Sequence, residues 1–196
     1  ADREFYGTHY WTGKDSFVDP KSNELLGDDS GLIMNRTLGF IDANRDTPFL
    51  AIVWFHAPHL PCVASKEDTD SYAKADAKLD GRQLNYYGCV TALDRAVGKL
   101  RARLKQHGIA DNTLVAFCSD NGPEGSDKAP GRQGRFKGRK RSLYEGGVRV
   151  PSLLEWPAKI KPGTNSNVAT CTVDYLPTIL DMVGVDMPDY RPLDGV

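Results

Sequence analysis

The chain has 196 residues, of which 40% are hydrophobic and 26% are charged, and its formal net charge is −1. These values are typical of a single globular domain of ordinary size. A net charge so close to zero creates no overall field that would attract nucleic acid or a membrane surface, so neither is an expected partner. No apolar run reaches the roughly 20 residues that a membrane-spanning helix needs.

The first half of the chain alternates helical and strand patterns after an irregular start. Residues 1–30 show no periodicity, whereas apolar residues at helical spacing over 31–45 predict an amphipathic helix. The continuous apolar run 49–55 is rich in strand-forming residues and predicts a strand covered on both faces, as in a parallel sheet. Residues 62–80 are polar and predict a surface loop or a short helix.

The second half continues the alternation. Residues 82–107 carry the longest helical pattern, and the apolar run 113–118 predicts a buried strand. A further strand is predicted over 148–156, interrupted by Pro151, and a helix over 172–183. Strands that alternate with helices predict an α/β fold with a mainly parallel sheet flanked by helices.

Polar side chains follow two of the predicted strands. Asp120 and Asn121 come directly after the strand at 113–118. Ligands bind beyond the carboxyl ends of strands in such sheets, and carboxylate and carboxamide oxygens suit calcium or magnesium. The alternative is an ordinary tight turn, since Asp-Asn-Gly is common turn chemistry. His59 follows the run 49–55 in a loop that Pro58 and Pro61 constrain, and it is either a proton donor or a histidine bonded to the backbone.

Basic residues crowd the segment 131–141, GRQGRFKGRKR. Three interpretations compete: a solvated loop, a nucleic-acid patch, and an anion site in which one lysine turns inward toward sulfate or phosphate. The segment Tyr144–Pro151, YEGGVRVP, follows it, and its paired glycines permit a close backbone approach.

The four cysteines, Cys62, Cys89, Cys118 and Cys171, are far apart and form no CxxC pair. This spacing indicates neither a zinc site nor a redox motif. Cys89 and Cys118 lie in apolar patterns and are expected to be buried thiols. The sequence leaves the disulfide state of all four open.

Taken together, four segments resemble the sulfatase family of the alkaline-phosphatase-like superfamily: FLAIVWFHAPHLP (49–61), LNYYGCVTALDRAVGKL (84–100), NTLVAFCSDNGPEG (112–125) and GRKRSLYEGGVRVPSLLEWPAKIKPG (138–163). The opening EFYG (4–7) and the closing RPLDGV (191–196) also resemble family segments. The most specific pattern is Lys-x-x-x-Tyr-Glu-Gly-Gly-x-Arg-x-Pro, from Lys140 to Pro151. The resemblance implies an α/β/α sandwich.

The resemblance also implies roles for individual residues. Asp120 and Asn121 match family positions that ligate a divalent cation, usually Ca²⁺. Lys140 matches the lysine that contacts the sulfate, and His59 matches the histidine near the leaving-group oxygen. These roles agree with the chemistry, because hydrolysis of a sulfate ester needs charge stabilised on the sulfuryl oxygens and a proton for the departing alkoxide.

The family's nucleophile is a formylglycine made from the first residue of a Cys/Ser-x-Pro-x-Arg motif, and this motif is absent from the chain. The family's paired aspartates, which follow a strand, are missing too. The pair Asp28-Asp29 does not follow a predicted strand and so does not match them. We therefore expect residues 1–196 to be part of a sulfatase catalytic domain, without its nucleophile half and its small C-terminal domain. We expect the fragment alone to be inactive.

The expected activity of the full-length parent is hydrolysis of a small-molecule or glycan sulfate ester. One alternative is a phosphate or phosphonate ester hydrolase of the same superfamily. Another is a non-catalytic module that binds sulfated glycans through the basic loop 132–141. The family is mostly periplasmic, secreted or lysosomal, which is the location the resemblance implies.

Overall fold

A computed structural model describes residues 6–12, 14–126, 128–186 and 192–195. The chain divides into two compact units, Ala1–Ile160 and Lys161–Val196. Among the described residues, no helix is both long enough and apolar enough to cross a membrane.

Three helices build the first unit: α1 (Ser30–Asn44), α2 (Lys66–Ala75) and α3 (Gly81–Gln106). The apolar periodicity predicts both α1 and α3, and both are confirmed. Asp80 starts α3 because its carboxylate accepts the backbone N–H groups of Arg82 and Gln83, which otherwise lack partners in the first turn. In return, the Asp80 N–H donates to Gln83 Oε1 at 2.9 Å, which completes a capping box.

The core of the first unit lies mainly between α1 and α3. Met34 and Leu38 of α1 are buried against Ala96 and Leu100 of α3, and Phe55 packs on the same cluster. A second cluster joins the chain before α1 to that helix and contains Val18, Leu25 and Leu32. An ion pair between Arg103 and Asp42, with His107 as a second donor to Asp42, links the ends of the two helices.

Four short strands form two separate two-stranded sheets in the first unit. Strand β1 (Tyr10–Thr12) pairs with β2 (Asp15–Val18), and β3 (Val115–Cys118) pairs with β4 (Ser152–Glu155). Both pairs are antiparallel. The strand predicted at 113–118 is therefore confirmed over Val115–Cys118, but the prediction that it and the Cys118 thiol are buried is wrong, since none of its residues is buried. The mainly parallel sheet is not seen within the described residues and stays a prediction.

The prediction of a buried strand over residues 49–55 is wrong for the structure. The segment has no strand hydrogen-bonding partner within the described part of the chain. Its side chains alternate nevertheless: Phe55 packs on the core, while Leu50, Ile52 and Trp54 are 60%, 70% and 82% exposed. The apolar run thus has the alternation of a strand but lacks a neighbour to form a ladder.

The strand predicted over 148–156 begins later than expected. Residues Glu145–Val148 form a short helix, α4, and strand pairing covers only Ser152–Glu155. Pro151 explains the late start because it has no backbone N–H to donate to a ladder. Its carbonyl instead accepts the Ser119 N–H at 3.3 Å, which joins the two segments just beyond the sheet.

The second unit is a small helical element. A single 3₁₀ turn at Thr172–Asp174 leads into helix α5 (Tyr175–Val183), as the apolar spacing predicts. Gly184 ends the helix with φ +66°, a left-handed conformation that glycine adopts without a steric penalty. The family-like segment 191–196 lies partly outside the described residues, as does the opening EFYG.

Two adjacent aspartates are buried at the start of α1. The Asp29 carboxylate is fully buried and is hydrogen-bonded to Tyr10 and His56. Asp28 is 9% exposed, and its Oδ1 accepts the Ser30 N–H at 2.9 Å, while Oδ2 has no hydrogen-bond partner among the residues that the structure describes. The pKa of Asp28 is raised from 3.8 to about 6, mainly by burial. The Asp29 charge acts in the same direction, and the Ser30 hydrogen bonds oppose the rise.

We expect Asp28→Asn to stabilise the protein at neutral pH. The pKa of Asp28 is higher in the folded state than in the unfolded state, so protonation of Asp28 favours folding. This stabilisation is fully present below pH ~4, where the carboxyl is protonated in both states. That contribution is lost as the pH rises through about 6. In urea unfolding at pH 7.5, the free energy of unfolding of the variant should therefore be about 3 kcal/mol higher than that of the native protein. The difference should shrink toward zero at pH 4.

Asp68 provides the matched control, because it is equally buried but is paired with Arg95 and Ser65. Asp68→Asn should destabilise the protein at pH 7.5, opposite in sign to Asp28→Asn. An equal effect of Asp28→Asn at both pH values would show that its charge does not matter.

Candidate functional site

Strand β3 places Asp120 and Asn121 in the turn that follows it. Asp120 is exposed and Asn121 is half-buried, and the Asn121 amide donates to the Asp120 carboxylate. The Ser119 hydroxyl donates to the Asn121 carbonyl at 3.1 Å and fixes the turn from inside. The two side chains thus present neighbouring oxygen atoms to solvent at the end of the strand.

Three glycines allow the chain after this turn to contact the Tyr144–Pro151 segment backbone to backbone. We call Gly122, Gly146 and Gly147 the glycine junction. The Gly122 N–H donates to the Gly147 carbonyl at 2.8 Å, and a Cβ at Gly122 would lie 1.9 Å from the Gly146 carbonyl oxygen. A Cβ at Gly146 would lie 2.1 Å from the Gly138 oxygen. No side chain fits at these positions, which explains the paired glycines.

The glycine junction brings the basic segment to the turn, and Lys140 lies at this contact. The Lys140 N–H donates at 3.1 Å to the carbonyl of Pro123, which is three residues after Asp120 in the chain. The Lys140 ammonium lies 3.6 Å from Glu124 Oε2, and Arg141 donates to the other oxygen of that carboxylate. The Arg141 hydrogen bond holds the pKa of Glu124 below its usual range, so Glu124 remains a charged anchor for both cations.

Arg139 is the residue that orders the basic segment from within. It is buried, and its guanidinium donates to the Gln133 side chain at 2.6 Å and to the carbonyls of Glu124 and Gly131 at 3.0 and 2.8 Å. The segment is therefore folded around one inward arginine. Sequence analysis missed Arg139 and Glu124, because nothing in a run of six basic residues marks which one is buried.

His59 lies in the loop after residues 49–55, and its side chain is exposed. Its Nδ1 is 2.7 Å from the Leu60 carbonyl oxygen, which can only accept, so Nδ1 carries a proton and Nε2 is left for another partner. His56 has a different role in the same loop. Its ring stacks on Tyr6 at 5.6 Å and is hydrogen-bonded to the buried Asp29, so it anchors the loop to the core.

One stretch of α3, residues 85–89, contacts both loops. Asn85 Oδ1 accepts the Ala64 N–H at 2.9 Å on the side of the His59 loop. On the side of the basic segment, a Cβ at Gly131 would lie 3.1 Å from the Tyr86 hydroxyl. Both loops are therefore mounted on the same turns of one helix.

Through the glycine junction and the Pro123 carbonyl, the structure joins the backbone of Lys140 to the chain that follows the Asp120–Asn121 turn. It does not bond His59 to these residues, since no hydrogen bond or ion pair joins them within the described residues. Among those same residues, no group of three or more His, Cys, Asp or Glu side chains could hold a metal ion.

Comparison with known proteins gives a consistent result. The Sulfatase family model matches residues 4–185. The chain is 36% identical over 162 residues to the steryl-sulfatase of Rattus norvegicus, covering 80% of this chain and 26% of that protein. It is 31% identical over 192 residues to an uncharacterised sulfatase of Escherichia coli (strain K12), covering 97% of this chain and 34% of that protein.

Solved structures agree with these relatives. The structure of Ps i-CgsB in complex with k-i-k-neocarrahexaose superposes with a TM-score of 0.83 at 29% identity, over 96% of this chain and 40% of that one. The PsFucS1 sulfatase from Pseudoalteromonas sp. gives 0.76 at 25% identity, over 94% of this chain and 36% of that one. The chain thus spans less than half the length of these proteins, and it has the fold of the corresponding part of the alkaline-phosphatase-like sulfatases. Its match to the family model over nearly its whole length shows that the chain belongs to the sulfatase family.

Proposed function

We propose that the full-length protein hydrolyses sulfate esters, and that these residues supply part of its active site. The observation that carries the proposal is the glycine junction, which holds the Asp120–Asn121 turn against the segment that bears Lys140. A pair of hard oxygen ligands beside a fixed ammonium group suits a charged oxyanion ester. The 196 residues alone are expected to show no turnover.

Asp120 and Asn121 would hold a divalent cation, and Ca²⁺ fits best. Their carboxylate and carboxamide oxygens are the donors that calcium prefers, and both belong to a turn that the Ser119 hydroxyl stabilises. Calcium takes six to eight oxygen ligands, so the remaining ligands would come from outside this chain or from substrate. When bound, the cation would neutralise charge on the sulfuryl oxygens.

The nucleophile would be a formylglycine supplied from outside these residues, because no Cys/Ser-x-Pro-x-Arg motif occurs among them. The backbone of residues 49–55 has no strand partner within the described residues, so further strands of the full-length protein could pair along it. Other elements of that protein would cover the exposed side chains of Leu50, Ile52 and Trp54. Such strands would build the mainly parallel sheet that the sequence predicts.

Lys140 and His59 would act on the two sides of the scissile bond. The Lys140 ammonium would donate to a sulfuryl oxygen, with Glu124 holding the side chain in place before substrate arrives. His59 would give a proton from Nε2 to the departing alkoxide. Its Nδ1–H stays on the Leu60 carbonyl throughout, which keeps the ring oriented.

The substrate class we propose is a sulfated carbohydrate. Support comes from the similarity to Ps i-CgsB, whose structure holds k-i-k-neocarrahexaose. The similarity to a steryl-sulfatase makes steroid sulfate the competing class. A panel of sulfated oligosaccharides and steroid sulfates, assayed for sulfate release by the full-length protein, separates the two. The proposed location is periplasmic, secreted or lysosomal.

Calcium binding gives the sharpest test of the metal site. Asp120→Ala should abolish calcium-dependent sulfate release and lower the calcium affinity of the full-length protein by at least roughly 100-fold, because even indirect partners of a metal contribute about 10–100-fold. The measurement is calcium content after dialysis at defined free calcium, together with the initial rate.

The chain contains a matched control in a second Asp-Asn pair. Asp111 and Asn112 lie in a 3₁₀ turn after α3, and both are exposed. Asp111→Ala should leave calcium content and rate unchanged. Retention of both properties by Asp120→Ala would rule out the proposed metal site.

A further inference from the structure

Two cysteines lie together beneath the His59 loop. Cys62 ends this loop and is half-buried, and its thiol donates to the Pro58 carbonyl at 3.3 Å and contacts the His59 carbonyl at 3.8 Å. Cys89 lies on α3 and is 2% exposed. Each thiol shifts the pKa of the other, and both are reduced in the structure.

The backbone packing around the two cysteines is tight. The Ala64 N–H donates to Asn85, and a Cβ at Gly88 would lie 2.4 Å from the Ala64 Cβ. Between these contacts, Val63 is 3% exposed. The chain at 62–64 therefore lies directly on the turn of α3 that carries Cys89.

We propose that Cys62 and Cys89 form a disulfide that ties the His59 loop to α3. Backbone packing already holds the two segments that carry these cysteines against each other. Because Cys62 is the half-exposed partner, it is the one that an oxidant reaches.

The reaction needs an external disulfide as oxidant, either a small one such as oxidised glutathione or that of a dithiol oxidase. The Cys62 thiolate attacks one sulfur of that disulfide and releases the first thiol, forming a mixed disulfide. Cys89 then loses its proton to solvent and attacks the Cys62 sulfur, which releases the second thiol. Two protein thiols and one external disulfide become one protein disulfide and two external thiols.

The order of the two steps follows from the acidities. The interaction with the Cys89 thiol holds the pKa of the Cys62 thiol below its usual range. The same interaction and burial raise the pKa of Cys89. The first thiolate therefore forms on the more accessible sulfur.

The consequence is a fixed His59 loop. The Cys62 thiol already contacts the carbonyls of Pro58 and His59. A covalent link from Cys62 to α3 would therefore anchor the loop close to the histidine. This inference does not depend on sulfatase activity, since disulfide formation and thermal stability can be measured without substrate.

Peptide mapping of the full-length protein tests the proposal. After treatment with oxidised glutathione at pH 8 and blocking of free thiols, trypsin should release residues 46–66 and 83–95 as one linked species that dithiothreitol separates. The oxidised protein should also melt at least roughly 3 °C above the reduced protein. Recovery of both peptides with blocked free thiols, or of Cys62 linked to any other cysteine, would overturn the proposal.

Two variants complete the experiment. Cys62→Ser should lose the redox dependence of the melting temperature, whereas Cys171→Ser, at an exposed position of the second unit, should retain it. Retention of the redox-dependent shift by Cys62→Ser would contradict the proposal. Peptide mapping of the native protein detects or excludes the disulfide even where a variant folds poorly.

Discussion

We expect Lys140→Ala to lower the kcat/KM of the full-length protein for sulfate ester hydrolysis by roughly 10²–10³-fold, the range found when one donor to a developing oxyanion is removed. Lys140 is the cation that the Pro123 carbonyl and Glu124 hold beside the Asp120–Asn121 turn. Its side chain is 22% exposed, so little water can replace the lost ammonium. The measurement is sulfate release at substrate concentrations below KM.

Arg141 makes a demanding control because it is the next residue and pairs with the same carboxylate of Glu124. Its side chain, however, is 73% exposed. Arg141→Ala should therefore change kcat/KM by no more than about threefold, as expected for an exposed ion pair.

The comparison of the two variants also distinguishes the proposed enzyme from a non-catalytic glycan-binding module. If the basic segment acts only through its total charge, Lys140→Ala and Arg141→Ala should have similar, small and salt-sensitive effects on glycan binding. Equal losses in the two variants would therefore favour binding over catalysis. A large loss confined to Lys140 would favour the proposed role.

The helices could be predicted from sequence because their information is local. The apolar spacing of α1 and α3 corresponds to the faces that pack Met34, Leu38 and Ala96 together. The Asp80 cap at the start of α3 is likewise encoded within four residues. Periodicity and capping therefore locate these elements without knowledge of the fold.

The strand assignments failed where a partner was needed. Residues 49–55 have the composition of a strand, but pairing also requires a neighbour, and the described residues contain none for this segment. The late start of β4 is different, since Pro151 already marks it in the sequence. Composition predicts the preference for a strand, whereas the ladder depends on distant parts of the chain.

The candidate site is only partly visible in the sequence. The family resemblance predicts roles for Asp120, Asn121 and Lys140, and the structure adds the glycine junction, which holds the backbones of their two segments together. Arg139 and Glu124 could not be identified because burial of a charged residue depends on carbonyl groups that the fold brings to it. The Arg139 contacts to Glu124 and Gly131 span 15 and 8 residues.

The glycine junction is also where we expect the largest loss of stability. Gly122→Ala would place a methyl group 1.9 Å from the Gly146 carbonyl oxygen, 2.9 Å from its carbon and 3.0 Å from the Gly147 Cα. These are backbone atoms that cannot rotate away, so the two segments must separate and the 2.8 Å hydrogen bond from Gly122 to Gly147 is lost. We expect a cost of about 3 kcal/mol or more in chemical unfolding.

The same separation would move Lys140 away from the Asp120–Asn121 turn, so the surviving folded protein should also lose activity, by about 10²-fold for a displacement near 1 Å. Gly98→Ala is the matched control, because Gly98 lies on the exposed face of α3 with no atom near the added methyl group. That variant should gain about 0.5–1 kcal/mol, since alanine favours a helix interior over glycine. A contact as close as 1.9 Å can accommodate the methyl group only if the two segments separate. Native stability and activity in Gly122→Ala would therefore show that the junction does not determine the position of Lys140.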